Sequence, residues 1–349
     1  MEVREVDPRD DAAVAAWFAV IDAWQRAGRP GEPGWLLEEQ AAILRLGAEP
    51  DADERRVGLV AVEDGQVLAA ARLDLPVADN THLADVLLIT HPDHRRRGAG
   101  RALVGEVERR AREAGRSTLT ASSDELPGEE GRSASRGFGP ALGFQAMQEE
   151  VRRDIALPLD PAVVAGLAAV AAEHAADHDL RTWRDAVPED LVEDQAHLFR
   201  RMSTDVPLAD LDWREEEWDA ARVRRDEQDV QAMGRTFFGA GAVHRPTGRM
   251  VAYTTMGVAL AAPERAYQWD TLVLTEDRGH RLGTLVKLAC LQRLADEVPE
   301  ARFISTWNAA ENAPMIRVND ALGATVNGQL VNWQRRLHPP PAPDPHEHP

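Results

Sequence analysis

A strand, a tight arginine and glycine turn and a helix occur twice in this chain, in the same order. Val86-Leu87-Leu88-Ile89 runs into His91-Pro92-Asp93-His94-Arg95-Arg96-Arg97-Gly98-Ala99-Gly100, and Thr271-Leu272-Val273-Leu274 into Thr275-Glu276-Asp277-Arg278-Gly279-His280-Arg281-Leu282-Gly283. Each block is followed at nearly equal distance by a Leu-Gly ending, Leu142-Gly143 and Leu322-Gly323. Arg95 and Arg278 stand 183 positions apart, and Gly143 and Gly323 stand 180 apart. A register kept over such a span marks an internal duplication. The 349 residues therefore divide into two units, each long enough for its own core.

The repeated block also has a chemistry. A strand that feeds a glycine-bearing turn at a helix N-terminus aims backbone N–H groups, the positive end of the helix dipole and a fixed arginine at one spot. Two such cradles suit a pyrophosphate. Arg95-x-x-Gly98-x-Gly100, with Leu142-Gly143-Phe144 closing the next segment, resembles the acetyl-CoA loop of the GCN5-related N-acetyltransferase (GNAT) superfamily. The chain as a whole resembles the tandem GNAT proteins of actinobacteria. In the second copy, Arg278-x-x-Arg281-x-Gly283, an arginine replaces the first glycine; Arg281 could swing outward and add charge to a phosphate, or fill the cradle and abolish binding. Thr306–Met315 resembles the family's next strand and the Asn-led helix after it.

The resemblance implies an α/β (α+β) chain of two tandem GNAT-like domains, each a mixed, splayed sheet flanked by helices. They are expected over 1–157 and 178–338, joined by a helical linker over 158–177. The proline-rich tail, 339–349, lacks apolar residues able to pack and is expected to be disordered, with its histidines as bystanders. The implied co-substrate is acetyl-CoA. Backbone groups of Leu88, Ile89 and Thr90, and of Leu272, Val273 and Leu274, would hold pantetheine and the thioester oxygen. The diphosphate would lie on Arg95, Arg96, Arg97, Gly98, Ala99, Gly100 and Arg101 in one copy, and on Arg278, Gly279, Arg281, Leu282, Gly283 and Thr284 in the other.

At the positions where many members carry a carboxylate base stand Ala84 and Tyr267, with Asp85 and Asp270 nearby; a bulge would turn either acid inward. The usual thiol-protonating tyrosine falls on Gly139 and Asn319, neither a phenol. Copy two is richer in polar groups, so the expected catalytic set is Asp270 as a base acting through water, with Tyr267 and Asn312 orienting the acceptor. The carboxylate-dense insert over 205–219, with Trp213 and Trp218, is expected either to lid that pocket or to be a solvated loop.

Composition narrows the function classes. Forty Lys and Arg against 59 Asp and Glu give a net charge of −19, which repels nucleic acid and anionic lipid and draws cations. The basic side is almost wholly arginine; Lys287 is the single lysine. Cys290, the single cysteine, excludes an internal disulfide and reads as a buried thiol in an apolar helical run. No apolar stretch approaches the ~20 residues of a membrane span, and Met1–Glu5 does not read as a signal peptide, so a cytoplasmic protein is expected. Gly-x-Gly-x-x-Gly is missing and the cradles lie mid-domain, which disfavours a Rossmann enzyme. Two functions remain: an N-acetyltransferase acting on a small-molecule amine by direct attack, and a non-catalytic acyl-CoA sensor or scaffold.

Overall fold

The computed structural model describes residues 1–206 and 209–337; the tail expected over 339–349 lies outside them. The first half comprises β1 (Glu2–Val6), α1 (Asp11–Gly28), α2 (Leu37–Leu46), β2 (Glu54–Glu63), β3 (Gln66–Pro76), β4 (Leu83–Thr90), α3 (Ala99–Glu113), β5 (Thr118–Glu125), α4 (Ala134–Ala141) and β6 (Gln145–Ala156). Helix α5 (Pro161–His174) connects. The second half repeats the order as β7 (His178–Arg184), α6 (Val192–Asp205), α7 (Ala220–Ala232), β8 (Arg235–His244), β9 (Arg249–Ala259), β10 (Arg265–Val273), α8 (Leu282–Glu297), β11 (Phe303–Ala309), α9 (Ala313–Ala321) and β12 (Thr325–Arg336).

Local chemistry accounts for many of the boundaries. The Asp10 carboxylate accepts the N–H groups of Ala12 and Ala13 and so opens α1. Asp64 and Gly65 both take positive φ, 50° and 78°, the geometry of a two-residue hairpin turn between β2 and β3. On α3, Leu103, Val107 and Ala111 recur at helical spacing and are fully buried against the sheet. Burying each large aliphatic side chain stabilises the fold by roughly 1.5–3 kcal/mol.

All twelve strands join one sheet, in the order β1-β2-β3-β4-β5-β12-β6-β11-β10-β9-β8-β7. The closing strands are exchanged. Strand β6, the last of the first half, runs between β12 and β11, while β12 from the second half lies against β5. The ranges 1–157 and 178–338 are therefore stretches of chain whose sheets complete one another. At this seam buried Arg265 donates to buried Asp154 at 2.9 Å, buried Arg152 to half-buried Glu32 at 3.1 Å and half-buried Asn327 to Asp154 at 2.5 Å. Losing one member would leave an unpaired buried charge, so this network ties the halves in one register. Among the described residues no helix is long and apolar enough to cross a membrane.

Candidate functional site

Each half contains a wedge-shaped opening made by the sheet itself. Strands β4 and β5 pair in parallel only from Leu83 opposite Thr118 to Asp85 opposite Thr120, and then part. Strands β10 and β11 pair only from Arg265 opposite Phe303 to Tyr267 opposite Ser305. The repeated turns stand at the end of each free edge, where α3 and α8 begin.

Both turns reach the helix through two left-handed residues, with the glycine in alternate places. In the first they are Arg96 (φ 65°) and Gly98 (φ 89°); in the second, Gly279 (φ 93°) and Arg281 (φ 56°). Arg281 thus occupies the N-cap position of α8 and is exposed, while the conformation of the turn survives the substitution. A left-handed arginine costs about 1 kcal/mol relative to glycine. Open space surrounds Gly98, whereas a Cβ at Gly100 would lie 3.2 Å from both Phe138 and the Thr90 hydroxyl, so α3 packs closely there. The first-turn N–H groups of both helices, at Ala99, Gly100 and Arg101 and at Leu282, Gly283 and Thr284, have no intrahelical acceptor and point along the axis. Arg278 donates to the carbonyls of Val273 (3.3 Å) and Asp205 (3.1 Å), which fixes its position, and makes no ion pair within 4 Å among the described residues. Arg97 is instead paired with Glu63 at 2.5 Å, and Arg95 is exposed.

Strand register corrects part of the expected set of backbone donors. The N–H of His91 donates to Leu68 (2.9 Å) and that of Leu274 to Val251 (3.0 Å). Because antiparallel pairing alternates, the N–H groups of Ile89 and Leu272 also turn toward the hairpin partner, and those of Leu88, Thr90, Thr271 and Val273 face the openings. Ile89, Leu272 and Leu274 therefore cannot donate into the wedge.

The second opening has an acid on its helical side. Strand β10 carries a bulge between Gln268 and Asp270, with Trp269 as the extra residue. Tyr267 and Asp270, three apart, would face opposite sides of a regular strand; the bulge returns both to one face. Gly257 permits it, since a Cβ there would lie 2.0 Å from the Trp269 indole. On the other face the Gln268 amide donates to the Thr254 hydroxyl (2.8 Å) and to the carbonyls of Thr255 (2.7 Å) and Asp270 (2.9 Å), satisfying backbone the bulge frees.

Asp270 lines a cavity of about 50 Å³ with Gln195, Phe199, Asp226, Glu227, Phe237 and Trp269. That is room for one or two waters at roughly 30 Å³ each. Burial pushes the Asp270 carboxyl up to about 6, and the negative charge of Glu216 adds to the effect. Among the described residues, the fully buried hydroxyl of Tyr253 and both amide atoms of buried Gln195 have no hydrogen-bond partner. Glu227 is held by Arg224 at 2.8 Å and by the Val187 N–H at 2.8 Å, so Asp226 and Asp270 are the carboxylates left to meet a cation. The insert comes near this cavity through Trp218, tilted against Phe199 at 4.7 Å, while Asp212, Arg214 and Glu217 hydrogen-bond to His82, Asn80 and Asp79 of the first half.

The remaining expected residues lie nearby with other partners. Tyr267 stacks on Trp307 at 6.1 Å under the Arg235 guanidinium, outside the cavity lining. Asn312 is the N-cap of α9, its carbonyl accepting the Met315 N–H at 3.4 Å.

The first opening is filled where the second is polar. By register, Leu87 opposite Arg72 corresponds to Asp270 opposite Thr255. Trp17, Ile21 and Leu44 are fully buried on that side, the Trp17 indole donating to the Ala71 carbonyl at 2.9 Å. Asp85 is exposed and accepts the Thr120 hydroxyl at 2.7 Å.

Comparison with known proteins bears on the fold. The acetyltransferase (GNAT) family matches residues 17–127, from within α1 to just beyond β5. A tandem GNAT protein from the clavulanic acid biosynthesis pathway, solved without acetyl-CoA, is 29% identical, with 97% of this chain and 99% of that one covered and a TM-score of 0.77. The chain has the tandem GNAT fold. A GCN5-related N-acetyltransferase from Sphaerobacter thermophilus shares the fold at 17% identity, TM-score 0.65, covering 97% of this chain and 96% of its own. One from Kribbella flavida does so at 14% identity and TM-score 0.50, covering 96% and 71%. No curated protein matches the chain. The GNAT family supports acyl-CoA-dependent acetyl transfer as the class of activity.

The two positions of the GNAT tyrosine differ in kind. At Gly139 a Cβ would meet the Trp333 ring at 3.2 Å, so that place in the first half is packed by an indole from β12. At Asn319 the surroundings are polar: the side chain is fully buried and bonded to Lys287 and Asn308. Lys287, Gln195 and Asp226 drew no functional role from the sequence. A single lysine inside an apolar helical run was the available signal for the first.

Proposed function

We propose that this tandem GNAT-fold protein transfers an acetyl group from acetyl-CoA to the amine of a small molecule, and that the second half carries the reaction. The observation that supports this most is the placement of Asp270, a carboxyl raised to about 6, in a water-sized cavity beside the second opening. At neutral pH such a carboxyl is ionised yet basic enough to take a proton. The acceptor enters as a cation drawn by Asp226 and Asp270, loses one proton to Asp270 through a cavity water, and attacks the thioester carbon as a free amine. The N–H groups of Thr271 and Val273 face the wedge and suit the pantetheine and the developing oxyanion. The unpaired N–H groups at the start of α8, with Arg278 and Arg281, suit the diphosphate. Most of the acceleration comes from alignment, as expected where no acyl-enzyme forms.

A second reading rests on a specific contrast. The first half keeps the full cradle but has Leu87 and Trp17 where the second has its acid and cavity, so it suits binding of acyl-CoA without turnover, as a scaffold or sensor.

The test is acetyl-CoA turnover with a panel of primary amines. Acceptor-stimulated thiol release is expected, abolished by Gly283→Trp. Release that survives Gly283→Trp and is lost only in Gly98→Trp would assign the reaction to the first half; no release with any amine would favour the binding module.

A further inference from the structure

The lysine of this chain is buried where a cation has little reason to be. Lys287 lies on α8, 1% exposed, with no carboxylate partner among the described residues. Its ammonium donates to the Asn319 side-chain carbonyl on α9 at 2.7 Å. The Asn319 amide N–H donates in turn to the Asn308 side-chain carbonyl on β11 at 2.6 Å. Asn308 is half-buried, lies on the part of β11 that has separated from β10, and has no protein acceptor for its own N–H among the described residues. Three groups are therefore aligned donor to acceptor, from a positive charge under the sheet to an N–H at the wall of the second opening.

Charge polarises such a chain in one direction. A buried ammonium increases the donor strength of each amide beyond it, and the low local dielectric preserves the effect. Burial lowers the Lys287 pKa to about 7, against a weaker opposing effect of Cys290 one turn along the helix, so ammonium and amine are both populated at neutral pH and a thiolate developing at the far end of the chain draws the ammonium form. A buried cation of this kind is retained at a cost in stability, and a purely structural position would be filled better by Met or Leu.

We propose that the Lys287–Asn319–Asn308 chain stabilises the thiolate that leaves acetyl-CoA in the second opening, with the Asn308 N–H as the catalytic donor at sulfur and Lys287 and Asn319 as positioning residues. The inference rests on the functional reading above. As the acceptor nitrogen attacks, the C–N bond forms and the C–S bond breaks, its electron pair passing to sulfur. The amine proton leaves through water to Asp270, and the thiolate takes a proton from solvent once released. The chain supplies charge stabilisation alone, because amides do not relay protons in this sequence.

The experiment titrates the thiol of CoA bound to the full-length protein by its thiolate ultraviolet absorbance, in wild type, Lys287→Met and Asn308→Ala. In wild type the bound thiol is expected to titrate at least about one unit below the ordinary thiol value of ~8.5, a tenfold gain in thiolate. Both variants should restore the ordinary value, and kcat should fall by about tenfold in Lys287→Met and on the order of 10²-fold in Asn308→Ala, with the KM for acetyl-CoA little changed. Asn308 is half-exposed, so its variant remains informative should Lys287→Met fold poorly. CoA that binds the second half and titrates identically in all three proteins overturns this inference alone. A binding stoichiometry unchanged by Gly283→Trp overturns the functional reading and this inference with it.

Discussion

Strands β4 and β10 are the same strand twice, and their differences are few. Both run antiparallel to a hairpin partner, part from a parallel neighbour after three residue pairs and end in a turn with two left-handed residues. The second has one extra residue, Trp269, and an aspartate where the first has Leu87. Around Leu87 the helical side is closed by Trp17, Ile21 and Leu44; around Asp270 it holds a cavity, Gln195 and the Tyr253 hydroxyl. The backbone conformation of the turn thus survives duplication and even an Arg for Gly exchange, since Arg281 adopts the left-handed conformation that Gly98 has in the first half. The face that meets an acceptor depends on individual side chains, and there the halves have parted.

The contrast breaks most easily at Asp270. Asp270→Asn is expected to lower kcat by 10²- to 10⁴-fold, the usual range for a positioned base, in steady-state thiol release; a wild-type rate would erase the distinction between the halves. Next in size is packing. Trp17→Ala should destabilise the protein by about 3–5 kcal/mol in denaturant unfolding, because a filled face cannot collapse around so large a gap. A loss below ~1 kcal/mol would mean the first half has a cavity after all.

Lys287 gives a pH-dependent difference. Its folded pKa of about 7 lies below the unfolded value of 10.5, so between these limits the unfolded chain binds more protons and stability rises with pH. Lys287→Met should flatten that rise and, at and below about pH 7, raise the melting temperature, corresponding to a few kcal/mol at most. The smallest effect is a pH limb. A base must be deprotonated, so kcat/KM should fall as pH drops through about 6, the value set by burial of Asp270. The limb should vanish in Asp270→Asn; a limb that survives there and is lost in Asp85→Asn would assign the reaction to the first half, where desolvation also raises the Asp85 carboxyl to about 6.

Much of this was legible before any coordinates. Hairpin turns, strand-to-helix blocks and the paired Leu-Gly endings depend on nearest neighbours, and the helix α1 start at Asp10 and the turn at Asp64-Gly65 stand where local propensity puts them. The possible bulge beside Asp270 was readable as an option only, because its cause, a glycine on the next strand at 257, is remote in sequence. The choice of N–H groups facing each wedge was not readable, since a strand's donors alternate and register decides which ones pair inward. The expected lid over 205–219 divides its contacts between the two halves, which no composition of Glu and Trp could announce.

From its residues alone the chain determined that it is a duplicated strand, turn and helix unit, because backbone conformation at Gly and Arg turns is a local property. Tertiary structure alone decided that β6 and β12 trade places, that Asp270 faces a cavity while Leu87 faces a tryptophan, and that Lys287 meets Asn319. Those outcomes depend on which distant side chains share a volume, and burial, charge and hydrogen-bond direction exist only once that volume is filled.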